Sequence, residues 1–355
     1  MTHPYRNAPA HQRWSSAMTR TLPDDIDPVI SAPWKISTSD MIATGGSCFA
    51  QHVAQRLRDA GLRHLELETA HPTLSPKTAA AFGYGPFSAR YGAIYTARQL
   101  LQLLRRAYGR FTPQDDVWED GMTGNLFDPF RPTIQPNGFP TWREYEVDRK
   151  RHFAAVREMF ETLDVFIFTL GLTECWSAKA DGAVYPLCPG VAAGRFDSDK
   201  HGFCNFGVRE VTDDLDQFLT ELRAINSKAR LILTVSPVPL AATAEPRHVW
   251  ISTTLSKAVL RLAAEEIARR PGVIYFPSYE IITSPAARGN YFDEDLRSVS
   301  TLGVDHVMRL FFAHMVDGSS GSAPSPAIPS EQLFLQQAQR AMDVLCDESR
   351  LDPFA

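Results

Sequence analysis

The sequence predicts an α/β fold whose parallel sheet is covered by helices on both faces, and three observations predict it. Four short runs rich in β-branched and aromatic residues are spaced along the chain. Between them lie stretches whose apolar residues recur at helical spacing. Each run ends at Gly, Ser or Pro, as buried strands do where they give way to loops.

Residues 1–37 carry Pro4, Pro9, Pro23, Pro28 and Pro33 with little hydrophobic period and read as an irregular arm. The strands are expected at Met41–Thr44, Asp164–Leu170, Arg230–Val235 and Val273–Phe276, with a weaker fifth at Leu62–Glu68. Helices are expected at Phe49–Ala60, at Thr96–Tyr108 with Leu100, Leu103 and Leu104 on one face, and at Lys150–Leu163. Two more fall at Thr212–Asn226 and Thr253–Arg269, and a short one carries His306. The main domain spans 38–315. Within it, 109–149 is a long insertion rich in Trp, Phe, Pro and Gly, too long for an idle loop. Residues 316–330 have the composition of a flexible linker, and 331–355 that of a C-terminal helix and tail.

Composition removes several functions. Lys and Arg number 36 against 41 Asp and Glu, a net charge of −5, which disfavours nucleic acid as a partner. No apolar run reaches the ~18 residues of a membrane span. The N-terminus lacks the basic-then-apolar layout of a secretory signal. Five cysteines without CxxC spacing fit a reduced, cytoplasmic setting and leave no metal cage to expect. Neither GxGxxG nor GxxxxGK[ST] follows the first strand, so no nucleotide cofactor is expected.

In a parallel sheet the functional crevice lies at the C-terminal strand ends. The first strand runs into Gly45-Gly46-Ser47-Cys48-Phe49-Ala50 and then a helix, whose N-terminal field would favour a thiolate. Ser47 as a helix cap and Cys48 as a core filler is the plain alternative. The second strand runs into Gly171-Leu172-Thr173-Glu174-Cys175-Trp176, a segment able to supply oxyanion donors or merely to cap a helix. Ser236-Pro237-Val238-Pro239 makes a rigid exit for the third, and His248 and Ser256-Lys257 follow it.

The pentapeptide Gly46-Ser47-Cys48-Phe49-Ala50 resembles the signature of the GSCFA-domain family. Tyr91-Gly92-Ala93-Ile94-Tyr95-Thr96, Thr169–Trp176, Thr234–Leu240 and Ser256-Lys257 resemble its further blocks, in the same order. That family is similar to the SGNH (GDSL-like) hydrolases, which implies a three-layer α/β/α, flavodoxin-like fold. Aligned on Gly46, Cys48 stands at the nucleophile; aligned on Gly45, Ser47 does. Gly46, Gly171 and Thr173 match oxyanion-hole positions. In the last block, Asp295-Leu296-Arg297-Ser298, Ser298 stands where the family of hydrolases has its catalytic His. His306 and His248 remain as base candidates, with Asp295 as the orienting carboxylate. Tyr91, Glu174, Trp176 and Arg297 are candidates for contact with substrate.

The resemblance implies an esterase or O-acyltransferase acting on a carbohydrate or polysaccharide precursor, with a small-molecule or saccharide substrate and an activated acyl donor in the transferase case. The alternative is a glycan- or protein-binding module that has lost the catalytic His. Trp118, Phe127, Phe130 and Trp142 of the insertion would then stack on sugar, or simply pack.

Overall fold

A computed structural model describes residues 3–318 and 350–351. The chain divides into two compact units. One runs from Thr38 to Tyr275; the other joins the chain up to Ser37 with the segment from Phe276.

In the larger unit the elements follow in the order β1 (Ile42–Gly46), α1 (Phe49–Asp59), α2 (Pro76–Ala81), α3 (Ala97–Ala107), β2 (Trp118–Glu119) and β3 (Leu126–Phe127). Then come α4 (Trp142–Thr162), β4 (Val165–Leu170), β5 (Glu174–Ala178), β6 (Val184–Tyr185), β7 (His201–Asn205), α5 (Val208–Ile225), β8 (Arg230–Val235), α6 (Val249–Ala268) and β9 (Val273–Tyr275). The main sheet is parallel, in the order β1-β4-β8-β9, and helices flank it, as the strand–helix alternation predicts. Among its side chains, Phe166 of β4 meets Phe168, Phe160 of α4 and Phe218 of α5, all fully buried. Burial of each such ring contributes roughly 1.5–3 kcal/mol.

The weak fifth strand at 62–68 survives as a single parallel bridge, Ile42 to His64, on the free edge of β1. Leu65 N donates to Ile42 O and Ile42 N to Arg63 O. That contact fixes the topology: the chain leaves β1 for one side and returns to β4 on the other. The strand order therefore reverses between β1 and β4, the place where a doubly wound sheet is expected to form its crevice at the carboxyl ends.

Two features depart from expectation. Helix α4 begins at Trp142, eight residues early, because Thr141 accepts from Glu144 N and caps it. Its first two turns are largely charged and hid the apolar period. A second, antiparallel sheet, β6-β5-β7, occupies 174–205. Its strand His201-Gly202-Phe203-Cys204-Asn205 carries residues of low strand propensity, so pattern alone passes over it. Hairpin β2–β3 lies within the insertion.

The smaller unit holds α7 (Ser278–Ile282) and α8 (Thr301–Met315), preceded by short turns of the N-terminal arm. The arm ends on α8: Ile36 N donates to Met315 O, and Asp317 N to Ile36 O. The linker and C-terminal helix expected in 316–355 fall, but for residues 316–318 and 350–351, outside the described residues. No helix among the described residues is long and apolar enough to cross a membrane.

Candidate functional site

Strand β1 ends in a turn that only glycine can make. Gly46 has φ +133°, and a Cβ there would lie 2.4 Å from Thr169 O. Ile94 N donates to Gly46 O and Ser47 N to Thr169 O, so the turn is pinned on both sides. Helix α1 then starts with Cys48 at its N-cap, in helical conformation and without a side-chain cap bond. Ser47 and Cys48 are both buried, and Ser47 Oγ has no hydrogen-bond partner. Ala50 N donates to Ser47 O and Gln51 N to Cys48 O, so Cys48 sits at the amide end of α1, where positive potential favours an anion.

The exit of β4 meets this turn. A Cβ on Gly171 would lie 3.0 Å from Ser47 Cβ and 3.2 Å from Tyr95 O. The loop is held from three directions. Gly171 N and Leu172 N donate to Tyr95 O; Lys257 Nζ donates to Gly171 O at 2.8 Å; Thr173 N donates to Ser256 Oγ at 3.1 Å. Ala93, Tyr95, Leu172 and Leu240 pack together beneath it. Thus the Tyr91–Thr96, Thr169–Trp176 and Ser256-Lys257 segments, scattered in sequence, converge on one junction. Ser256 and Lys257, both 1% exposed, hold this loop, a contact that the sequence motif alone leaves without a role.

The predicted site residues separate into groups. Gly46, Ser47, Cys48 and Gly171 come together, with Thr173 two residues further along the second loop, but the expected oxyanion donors of that loop are already committed. Thr173 Oγ1 donates to Asn205 at 2.8 Å, in addition to its N–H on Ser256. The Gly171 N–H serves Tyr95. Glu174 receives Thr243 Oγ1 at 2.8 Å and Ala244 N at 3.3 Å. Tyr91, fully buried, donates its hydroxyl to Thr44 O behind β1. Trp176 packs its ring on Phe196 and Phe203.

Both expected histidine bases carry structural hydrogen bonds. His306, in the smaller unit, engages Tyr291 OH at 2.7 Å through Nδ1 and Ile26 O at 3.0 Å through Nε2. Burial keeps it below its ordinary pKa, so it ties the arm to α8 as a neutral ring. His248 is exposed and uses Nδ1 to accept from Trp250 N, capping α6. Asp295 closes its own turn, accepting from Arg297 N at 2.9 Å and from the Ser298 hydroxyl at 2.6 Å. Burial opposes its ionisation, but these hydrogen bonds outweigh it and hold the carboxyl below the usual range. Ser298, at the position of the hydrolases' histidine, is thus the partner of Asp295.

The imidazole nearest Cys48 along the chain was overlooked. His52 lies one helical turn on, and helical side chains lean toward the preceding turn, so i and i+4 share a face. Its ring packs 5.9 Å from Phe49. Burial, then Arg56, lowers its pKa to about 4, leaving a neutral, weakly basic ring at neutral pH. The signal was present as Cys-x-x-x-His on the first helix.

A family model described as the GSCFA family matches residues 41–311. No curated protein matches the chain. Among solved structures, a crystal structure of a carbohydrate esterase family 3 protein from Talaromyces cellulolyticus is similar. It is 12% identical, covers 77% of this chain and 94% of its own, and superposes with a TM-score of 0.33. The family match takes in every converging segment of the junction between β1 and β4, and this chain belongs to the GSCFA family.

Proposed function

We propose that this protein is an acyl-transfer enzyme, an esterase or O-acyltransferase, whose nucleophile is the Cys48 thiolate. One observation carries the proposal. The glycine turn at the end of β1 delivers Cys48 to the N-cap of α1, at the switch point of the sheet and next to Ser47, whose Cβ faces the β4 exit loop. A thiolate there needs less help than a serine alkoxide.

In the proposed reaction, His52 takes the thiol proton and the sulfur attacks the carbonyl carbon of an acyl ester or thioester. The oxyanion that forms meets the amide end of α1, since the donors of Gly171 and Thr173 are engaged. Collapse of the intermediate breaks the bond to the leaving alcohol or thiol, which takes the proton from His52. Cys48 then holds a thioester. Water completes a hydrolase cycle; a saccharide hydroxyl completes a transferase cycle. Lys257 and Ser256 act as positioning residues by holding the facing loop.

The test is intact mass after incubation with panels of acyl esters and acyl-CoA thioesters. Cys48→Ala should lose turnover and the acyl adduct. Ser47→Ala should keep the adduct, and His52→Gln should slow its formation by about 10²–10⁴-fold. Full activity in Cys48→Ala with loss in Ser47→Ala moves the nucleophile to Ser47. Full activity in both removes this turn from the chemistry.

A further inference from the structure

A pair of cysteines stands beside the β4 exit loop. Strands β5 and β7 pair antiparallel with Cys175 directly opposite Cys204. Residues opposite each other project to the same face, with Cα atoms about 4.5 or 5.5 Å apart according to the register, and both values lie within disulfide range. Both are thiols in this structure; Cys175 is buried and Cys204 half-buried. Ser177, two residues on and hence on the same face, places Oγ 3.2 Å from Cys204 Sγ. Opposite Ser177 stands Gly202, so no side chain crowds that end of the pair.

The two thiols differ in character. The Cys175 thiol, and after it the Ser177 hydroxyl, hold Cys204 down to about 6, against the opposing effect of burial. The pairing with Cys204, then burial, pushes Cys175 well up. One thiolate with access to solvent thus faces one protonated thiol beneath it, the arrangement of an attacking and a resolving cysteine.

We infer that Cys175 and Cys204 are a reversible oxidation site, closed to a cross-strand disulfide by a peroxide. The Cys204 thiolate attacks one peroxide oxygen and breaks the O–O bond, becoming a sulfenic acid while hydroxide leaves and takes up a proton. Cys175 sulfur then attacks the Cys204 sulfur. The S–O bond breaks, and the hydroxide leaving Cys204 carries away the Cys175 proton as water. Two thiols and one hydrogen peroxide give one disulfide and two waters; a small dithiol reverses it. The bond would staple β5 to β7 next to the Glu174–Asn205 pair, where Asn205 also holds Thr173.

The experiment needs no enzyme assay. The native protein is treated with hydrogen peroxide, blocked with N-ethylmaleimide and digested with trypsin. Cys175, Cys204 and Cys188 fall in separate peptides, 158–179, 201–209 and 180–195. A linked 158–179/201–209 pair should appear, lighter than the two free peptides by two hydrogens, and dithiothreitol should release it. Maleimide labelling of both cysteines should fall about tenfold while Cys188 stays labelled. In Cys175→Ala, Cys204 should instead accumulate a sulfenic acid captured by dimedone. The proposal is overturned if Cys204 passes to a sulfinic acid with Cys175 untouched. Linkage of either cysteine to a different one overturns it too.

Discussion

The larger unit holds two interiors of opposite character, and their contrast shows where this molecule can and cannot change. Around β4 the interior is apolar, built from Phe160, Phe166, Phe168 and Phe218 with Leu231, Ile232 and Leu233 of β8. Under the insertion it is ionic. Arg131 pairs with Asp128 at 2.8 Å and Asp148 at 2.9 Å, and Arg90 with Asp148 at 2.7 Å. Arg106 lies over the Phe130 ring, 3.9 Å from Asp128. Glu68 meets His152 at 2.7 Å and accepts from Arg90 N. Three largely buried guanidinium groups thus face three largely buried carboxylates. Dispersion is non-directional and forgives a changed shape; a desolvated charge without its partner is not forgiven.

The sharpest way to break the comparison is Arg131→Met. It leaves Asp128 and Asp148 short of a partner in a buried setting, which costs about 3–5 kcal/mol. Urea unfolding should show that loss; a change under about 1 kcal/mol would mean that water already reaches the cluster. Next comes Gly46→Ala, which forces a positive φ on alanine and drives Cβ into Thr169 O. Left-handed strain and overpacking together cost about 2–4 kcal/mol. Here the apolar region is as unforgiving as the ionic one, because the contact is backbone on backbone.

The same contrast explains what could be read from the sequence. The apolar interior was legible: all four strands of the main sheet were placed to within about two residues, because period and β-branching signal burial directly. The family blocks around Gly46 and Gly171 were legible as well, and the fold brings them together. The ionic interior was not. Arg90, Arg106, Arg131, Asp128 and Asp148 carry no period, and a charged residue in sequence reads as surface. His52 was passed over for a related reason. The hydrolases' last block points to the region of Ser298 and His306, whereas His52 lies on the helix that bears the thiol.

Acid should weaken the larger unit before carboxylates alone would. Burial lowers His52 to about 4 and His64 to about 3, and it keeps His152 below its ordinary value despite Glu68 beside it. Each ring is neutral in the fold and takes up a proton on unfolding once the pH drops below 6.5. Stability is therefore complete above pH 6.5 and lost as pH falls through 4 and 3. Each such histidine adds up to about 1.4 kcal/mol per pH unit. Burial opposes the ionisation of Glu68, but His152, Arg131 and the Arg90 N–H bring it down to about 2, so its share is lost only between 4.5 and 2. Urea midpoints from pH 8 to 4 should bend near pH 6.5; a flat line down to pH 5 would show that the histidines protonate in place. Smaller still is Ile232→Val in β8, a buried methylene lost from an adaptable interior, at about 0.5–1.5 kcal/mol.

The smallest effect on stability is the most informative about what the insertion does. Of its four aromatics, Trp118 and Phe130 are buried, each against Tyr185, with ring centroids 5.2 and 5.5 Å away. Phe127 packs partly on the same cluster. They are core, and removing them tests folding rather than recognition. Trp142 alone of the four is exposed, at 54%, standing edge-on to Tyr145 at the start of α4. A side chain so placed contributes little to the fold, so Trp142→Ala should change unfolding by no more than about 0.5 kcal/mol. Its exposed indole is nonetheless the insertion's best surface for stacking on a sugar face. If the protein takes a saccharide through this insertion, titration with oligosaccharides should quench tryptophan fluorescence in the native chain, and Trp142→Ala should weaken that binding about tenfold. Unchanged binding in that variant would leave the insertion as packing, and would place saccharide recognition, where it occurs, on the β1–β4 junction.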